Sequence, residues 1–226
     1  MDLHEILERL KSLRVGWSQS LRMNHGLEYD YKRYLEAINK YEEKKAEYDL
    51  RKRSWRPRFP FFAESKLKEP ERPQFTSNRT NNIQEWYEGY QKTFASVLTE
   101  PLHSSITRHD INVFKLQQAV EALISFGSDA SFDTQPLELA LGALSEEAEK
   151  LIQVQAKYDA AGNIRMSAIE DAGIVIETIV DPHLLLQNIE ESVLTVSARI
   201  DAALSTPGLV LTSGLADLDK HSPKST

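Results

Sequence analysis

The sequence predicts an all-α protein in which a long N-terminal helix or helical hairpin, of coiled-coil type, is combined with a helical bundle. Apolar residues recur at alternating spacings of three and four along much of the chain, which is the pattern of helices that pack against other helices. The 226 residues include only nine glycines and nine prolines. These cluster, so the stretches between the clusters favour helix.

Residues 1–55 carry the longest of these patterns. Fourteen positions from Leu3 to Tyr48 are spaced alternately three and four residues apart without interruption, and eleven of them are apolar or aromatic. The register is polar at Asn24, and Gly26 follows, a residue type that often ends helices. The pattern therefore predicts either one continuous helix with a polar layer or a hairpin that turns near Asn24. The unbroken register favours the continuous helix.

Four prolines between Pro57 and Pro73 interrupt the helical pattern within residues 56–81. Each proline lacks a backbone donor and restricts the residue before it. This basic and aromatic segment is therefore predicted to be a linker, or an extended loop that crosses another surface.

Residues 82–205 are predicted to form an acidic helical bundle of four or five helices, opened by polar caps or by a proline in the first turn. Pro101 is expected to end the first of them. A strand is the alternative for the β-branched run from Ile174 to Val180. Residues 206–226, rich in glycine, serine, proline and threonine, are expected to form a flexible tail. The predicted helix starts are Asn82, Thr107, Thr134, Ser167 and Asp181.

The net charge of −7 is unevenly distributed along the chain. Residues 1–109 hold 20 basic and 16 acidic residues, whereas residues 110–226 hold 7 and 18. An acidic surface repels phosphate groups, so the C-terminal half is not expected to lie on nucleic acid or on an anionic bilayer.

The chain contains no cysteine. This excludes disulfides, thiolate zinc sites, iron–sulfur clusters and cysteine nucleophiles. The first residues are charged and lead into no apolar signal region, and no apolar run reaches the length of a membrane span. A cytoplasmic location is therefore expected.

No catalytic, cofactor-binding or metal-binding residue is predicted. His109 and Asp110 form a dipeptide that some helical phosphohydrolases use to bind metal, but the further ligands have no counterpart at suitable spacing. Asp110 is instead expected to mark a helix start, where the helix dipole favours it. Glu146 and Glu147 lie off the apolar stripe traced through Leu137, Leu141 and Leu144, so both are expected to be solvated. Acid–base work would need a pocket that drives their pKa values apart.

Five basic residues alternate with four aromatic residues between Arg51 and Phe62. Arginine pairs with phosphate or carboxylate groups and stacks on rings, while tryptophan and phenylalanine bury apolar area. The segment is predicted to contact an acidic protein, an anionic membrane or a nucleic acid. In the alternative interpretation the aromatic residues fold into the core and the arginines pair with the acidic half. The predicted partner-binding residues are Arg51, Lys52, Arg53, Trp55, Arg56, Arg58, Phe59, Phe61 and Phe62.

The apolar stripes of the helices offer more surface than one small core can bury, so part of this surface is expected to contact another chain. This favours a non-enzymatic scaffold or adaptor subunit. Such a subunit would assemble with itself or with other proteins through helix–helix contacts. The first alternative is an elongated helical module that binds anionic membrane surfaces through residues 51–62. The second is an enzyme or a nucleic-acid-binding accessory subunit.

Overall fold

A computed structural model describes residues 1–54, 68–77, 80, 82–125, 133–162 and 182–205. Within these residues the protein is all-α, with a long helix near the N-terminus and a helical bundle, which confirms the predicted fold class. None of the described helices is both long enough and apolar enough to cross a membrane. The helices are α1 (Leu3–Ser12), α2 (Gln19–Ser54), α3 (Ile83–Gln91), α4 (Ala95–Ser125), α5 (Gln135–Gly162) and α6 (Pro182–Leu204).

The chain divides into two compact units. One comprises Met1–Arg22 and Tyr90–Thr226, and the other comprises Met23–Gly89. The first unit is a bundle in which α4, α5 and α6 pack against one another and α1 packs on α4 and α5. Its core consists of aliphatic residues at helical spacing. Representative core residues are Ile6, Leu10, Val113, Leu116, Leu137, Leu144, Val196 and Ile200.

The second unit has a smaller core, formed where α3 packs on α2. Leu27 and Tyr31 of α2 are buried against Ile83 of α3. The rings of Tyr31 and Tyr87 have centroids 4.1 Å apart, so the two helices are joined through aromatic contact. Phe75 packs at the edge of this cluster.

The helical register that begins at Leu3 is broken between α1 and α2, at residues 13–18, and α2 continues through Asn24. Gly16 has a φ of 63°, in the left-handed region that suits glycine. The backbone amides of Val15 and Gly16 donate to Oδ1 and Oδ2 of Asp110 at 3.0 and 3.3 Å. A continuous helix would give up both hydrogen bonds, so a contact with α4 decides where the break falls.

Pro101 lies inside α4, so the expected end of a helix there and the new start at Thr107 are wrong. Proline removes one backbone hydrogen bond and costs about 3 kcal/mol inside a helix. Leu98, Leu102 and Ile106, on both sides of it, are fully buried. Each buried aliphatic side chain contributes about 1.5–3 kcal/mol, so burial on one continuous face outweighs the cost of the proline.

Candidate functional sites

A buried ion pair joins α4 to α5 in the first unit. The Nδ1 atom of His109 lies 2.8 Å from Oε2 of Glu147, and its Nε2 atom lies 2.9 Å from the carbonyl oxygen of Leu13. His109 is fully buried and Glu147 is 1% exposed. Since a buried charge without a partner is costly, each side chain depends on the other. The pair therefore ties α4 to α5 and to the residue that follows α1.

The geometry assigns one ring proton of His109. A carbonyl oxygen only accepts, so Nε2 of His109 donates to Leu13. The Nδ1 atom faces a carboxyl oxygen of Glu147, to which it donates when the imidazole is protonated on both nitrogens. Burial lowers the pKa of the His109 imidazole, but the hydrogen bonds to Glu147 and Leu13 and the charge of Glu147 outweigh it. The pKa of His109 is therefore raised above its ordinary value of 6.5.

This raised pKa makes stability depend on pH. The contribution of His109 is fully present below the unfolded pKa of about 6.5 and is lost as the pH rises through the folded pKa. We expect the difference in free energy of unfolding between the wild-type and His109→Gln proteins to shrink over that range. Urea unfolding at a series of pH values measures this difference. A difference that grows with pH above neutrality would contradict the assignment.

Further polar contacts hold the connection between α1 and α2 against the bundle. The backbone amide of Ser18 donates to Oε1 of Gln155 at 3.1 Å, and its hydroxyl donates to Oδ1 of Asp159 at 2.6 Å. The ring of Trp17 lies on that of His103, with centroids 4.2 Å apart. The connection is therefore held by side chains of α4 and α5 as well as by the left-handed conformation of Gly16.

Two expectations about single residues are wrong. Asp110 does not mark a helix start but lies in the middle of α4, where its carboxylate accepts from the α1–α2 connection. Glu147 is not solvated but buried, although its neighbour Glu146 is exposed as expected. The physical reason is the partner: His109 supplies the proton that a buried carboxylate needs.

The sequence did contain a signal for this pair. His109 and Glu147 each lie three residues after one buried aliphatic residue and four residues before another, so each occupies an apolar position of its own helix. A titratable residue at such a position is a candidate for a buried pair. The flanking residues are Ile106 and Val113 for His109, and Leu144 and Leu151 for Glu147.

The histidine–aspartate dipeptide does not act as a pair of metal ligands. His109 contacts Glu147, whereas Asp110 contacts backbone amides. In the part of the chain that the structure describes, no three histidine or acidic residues are grouped so that they could hold a metal ion. The expectation of no metal and no cofactor stays a prediction.

The apolar stripe of α2 becomes less covered toward the C-terminal end of the helix. Leu27 and Tyr31 are 1% and 8% exposed, but no residue from Lys32 to Arg53 is buried. The register positions beyond Tyr31 are all half-buried, so this length of the stripe keeps apolar area accessible to a partner. We call these five positions the α2 seam: Tyr34, Ile38, Tyr41, Lys45 and Tyr48.

The cationic-aromatic segment is described only at its start. Arg51, Lys52 and Arg53 form the exposed end of α2. The Arg51 side chain pairs with Glu47, and the Lys52 ammonium lies 5.7 Å from the centre of the Tyr48 ring. The contact of this segment with an anionic surface stays a prediction. The other predicted residues, Trp55, Arg56, Arg58, Phe59, Phe61 and Phe62, lie outside the described residues.

Comparisons with known proteins assign no family to the chain. No family model, no curated protein and no solved structure matches it.

Proposed function

We propose that the protein is a non-enzymatic scaffold or adaptor subunit that assembles with itself or with other proteins through helix–helix contacts. The observation that carries this proposal is the α2 seam, which keeps an a/d register over four turns without a buried residue. A register of this kind matches the seam of a coiled coil, in which each position inserts between residues of a facing helix.

An exposed aliphatic side chain extends the apolar surface of the α2 seam. Leu35 is 42% exposed and follows Tyr34 directly, at the flank of the seam. A single exposed aliphatic residue is ordinary, but one that borders a half-buried apolar stripe enlarges the apolar surface open to a partner. The helices of the first unit also carry exposed large apolar residues, namely Ile111, Phe114, Leu139, Ile152, Leu184 and Leu194.

Charge placed on the α2 seam is expected to weaken assembly. We expect Ile38→Glu combined with Tyr41→Glu to raise the dissociation constant of the assembly at least tenfold, because two carboxylates would lose solvation in the interface. Size-exclusion chromatography with light scattering over a range of concentrations measures self-association. Circular dichroism checks that the variant stays helical.

The matched control is Asn39→Glu combined with Ala46→Glu, which adds the same charge to α2 at exposed positions off the seam. The control is expected to assemble like the wild type. A wild-type chain that is monomeric at every concentration would reject self-association. Equal weakening by both variants would show that added charge, and not the seam, is responsible. An assembly with another protein, if one co-purifies, is tested with the same two variants.

Two narrower expectations accompany this proposal and rest on the sequence. One is that Arg51–Phe62 contacts an acidic protein, an anionic membrane or a nucleic acid, for which the exposed cations at the end of α2 provide support. The other is a cytoplasmic location. Both stay predictions.

A further inference from the structure

A proline-containing segment, residues 68–77, runs along α2, and we call it the strap. Three contacts define its course. The Ser77 hydroxyl donates to Oδ2 of Asp30 at 3.3 Å, and the Phe75 ring meets the Tyr34 ring edge-on at 5.6 Å. Glu69 forms an ion pair with Lys45. Later strap residues contact earlier helix residues, so the strap is antiparallel to α2.

The spacing of these contacts shows that the strap is extended. From Asp30 to Lys45 the helix advances fifteen residues, about 22 Å at about 1.5 Å per residue. From Ser77 back to Glu69 the strap covers eight residues, about 25 Å at about 3.1 Å per residue for a polyproline-type chain. The two lengths agree. Pro73, Phe75 and Ser77 are half-buried while the residues between them are exposed, as in an extended chain with one face on a surface.

The strap covers one side of the α2 seam. In a heptad labelled a to g, the a and d positions form the seam and the e and g positions flank it on either side. Tyr34 occupies a d position, Lys45 an a position and Asp30 a g position, so the strap lies on the side of the seam that carries the g positions. The e positions Leu35 and Glu42 are exposed. A partner helix needs a, d, e and g together. The strap and a partner helix therefore compete for Tyr34 and Lys45.

The strap is held by shallow contacts. None of its residues is buried, and the side chains of Lys45 and Glu69 are 30% and 58% exposed. Exposed ion pairs contribute little, because water screens them. Of the strap residues, Phe75 packs on the small core, but only as a half-buried residue at its edge, so displacement of the strap would leave Leu27, Tyr31 and Ile83 packed together.

The charges beside the α2 seam match those of a second copy of the same helix. In a parallel pair, a g residue faces the e residue five positions further along the partner, which places Lys44 opposite Asp49. In an antiparallel pair e residues face e residues, which brings together the acidic groups of Glu42 and Asp49. In the parallel pair Lys45 faces its own copy at an a position, but its ammonium lies 3.6 Å from Oδ1 of Asp49 in the same helix, which offsets the repulsion. Charge complementarity at the flanking e and g positions therefore favours a second copy of α2 in parallel orientation.

We propose that the strap is a displaceable cover that occupies, within one chain, the surface of α2 to which the α2 helix of a second copy docks. This inference rests on the proposed function, since it names the partner and the control of the α2 seam. Assembly then requires the strap to move off Tyr34 and Lys45, and a chain whose strap is held in place dimerises more weakly.

The absence of cysteine from the chain permits a direct test. Lys45→Cys combined with Glu69→Cys places two thiols where the ion pair lies. One portion of the full-length variant is bridged with a short bis-maleimide, and the other is capped at both thiols with N-ethylmaleimide. Both portions lack the ion pair, so they differ only in whether the strap can leave. Mass spectrometry confirms that the bridge is intramolecular.

We expect the capped form to dimerise with a dissociation constant at least tenfold lower than that of the bridged form, as measured by analytical ultracentrifugation. Failure of the bridge to form within one chain would show that the strap does not lie on α2. If both forms dimerise equally and Ile38→Glu with Tyr41→Glu abolishes the dimer, the proposed function stands and the strap inference falls. If neither form dimerises at any concentration, self-assembly through the seam and the strap inference both fall.

Discussion

Replacing Glu147 with alanine is expected to lower the free energy of unfolding by about 3–5 kcal/mol, because removing one partner of a buried ion pair leaves the other without compensation. The fully buried Nδ1 atom of His109 would lose its partner, and the shortened side chain would leave a cavity between α4 and α5. Urea unfolding followed by circular dichroism measures the change.

The neighbouring residue provides a matched control for this variant. Glu146→Ala removes the same atoms from an exposed position of the same helix, and we expect a change within about 0.5 kcal/mol. A cost below about 1 kcal/mol for Glu147→Ala would show that the pair does not stabilise the bundle.

Replacing both members of the pair with apolar residues distinguishes the cost of an unpaired buried charge from the cost of lost packing. His109→Leu combined with Glu147→Leu is expected to be more stable than either single substitution, since apolar residues often replace a buried pair without loss. The Oε1 atom of Glu147 has no hydrogen-bond partner within the described residues, and the double variant removes that buried atom as well. Additive costs for the two substitutions would contradict this coupling.

The second large effect is expected at Asp110. Asp110→Ala should cost about 1.5–3 kcal/mol, because its carboxylate accepts from the partly buried amides of Val15 and Gly16. Asp110→Asn should cost less, since its side chain keeps one acceptor oxygen. Denaturant unfolding measures both. Glu121→Ala, at an exposed position of the same helix, is the control and should have little effect.

The same substitution is expected to loosen the connection between α1 and α2 locally. Arg14 lies in this connection, so trypsin cleavage after it should become faster in Asp110→Ala than in the wild type. Cleavage at an unchanged rate would show that Asp110 does not hold the connection, even if the variant is less stable overall.

Much of the helical structure could be predicted from local pattern. The start of α3 follows Asn82, the predicted polar cap, whose side-chain oxygen accepts from the backbone amide of Glu85 and whose side-chain amide donates to the Glu85 carboxylate. The stripe from Leu137 to Tyr158 became α5, with both of these residues fully buried. Local spacing was sufficient here because a helix and its cap depend on residues only a few positions apart.

The candidate sites depended more on distant contacts. The spacing of α2 indicated which residues share a face, but not that the strap lies on one side of it. Glu147 was expected in solvent because it lies off the stripe through Leu137, Leu141 and Leu144, and the spacing of residues within α5 does not indicate a partner on α4. The two residues are 38 positions apart in the chain, and only folding brings them within hydrogen-bonding distance.

The sequence by itself determined that this protein is built of helices, because a register of three and four residues is a local property of the backbone. The tertiary structure alone decided where the first register breaks, whether Pro101 ends a helix, and which charges are buried. Each of these outcomes depends on a partner from another element: Asp110 for Gly16, the bundle core for α4, and His109 for Glu147. Burial and hydrogen bonding between elements outweigh local preference by a few kcal/mol, which is enough to choose one conformation.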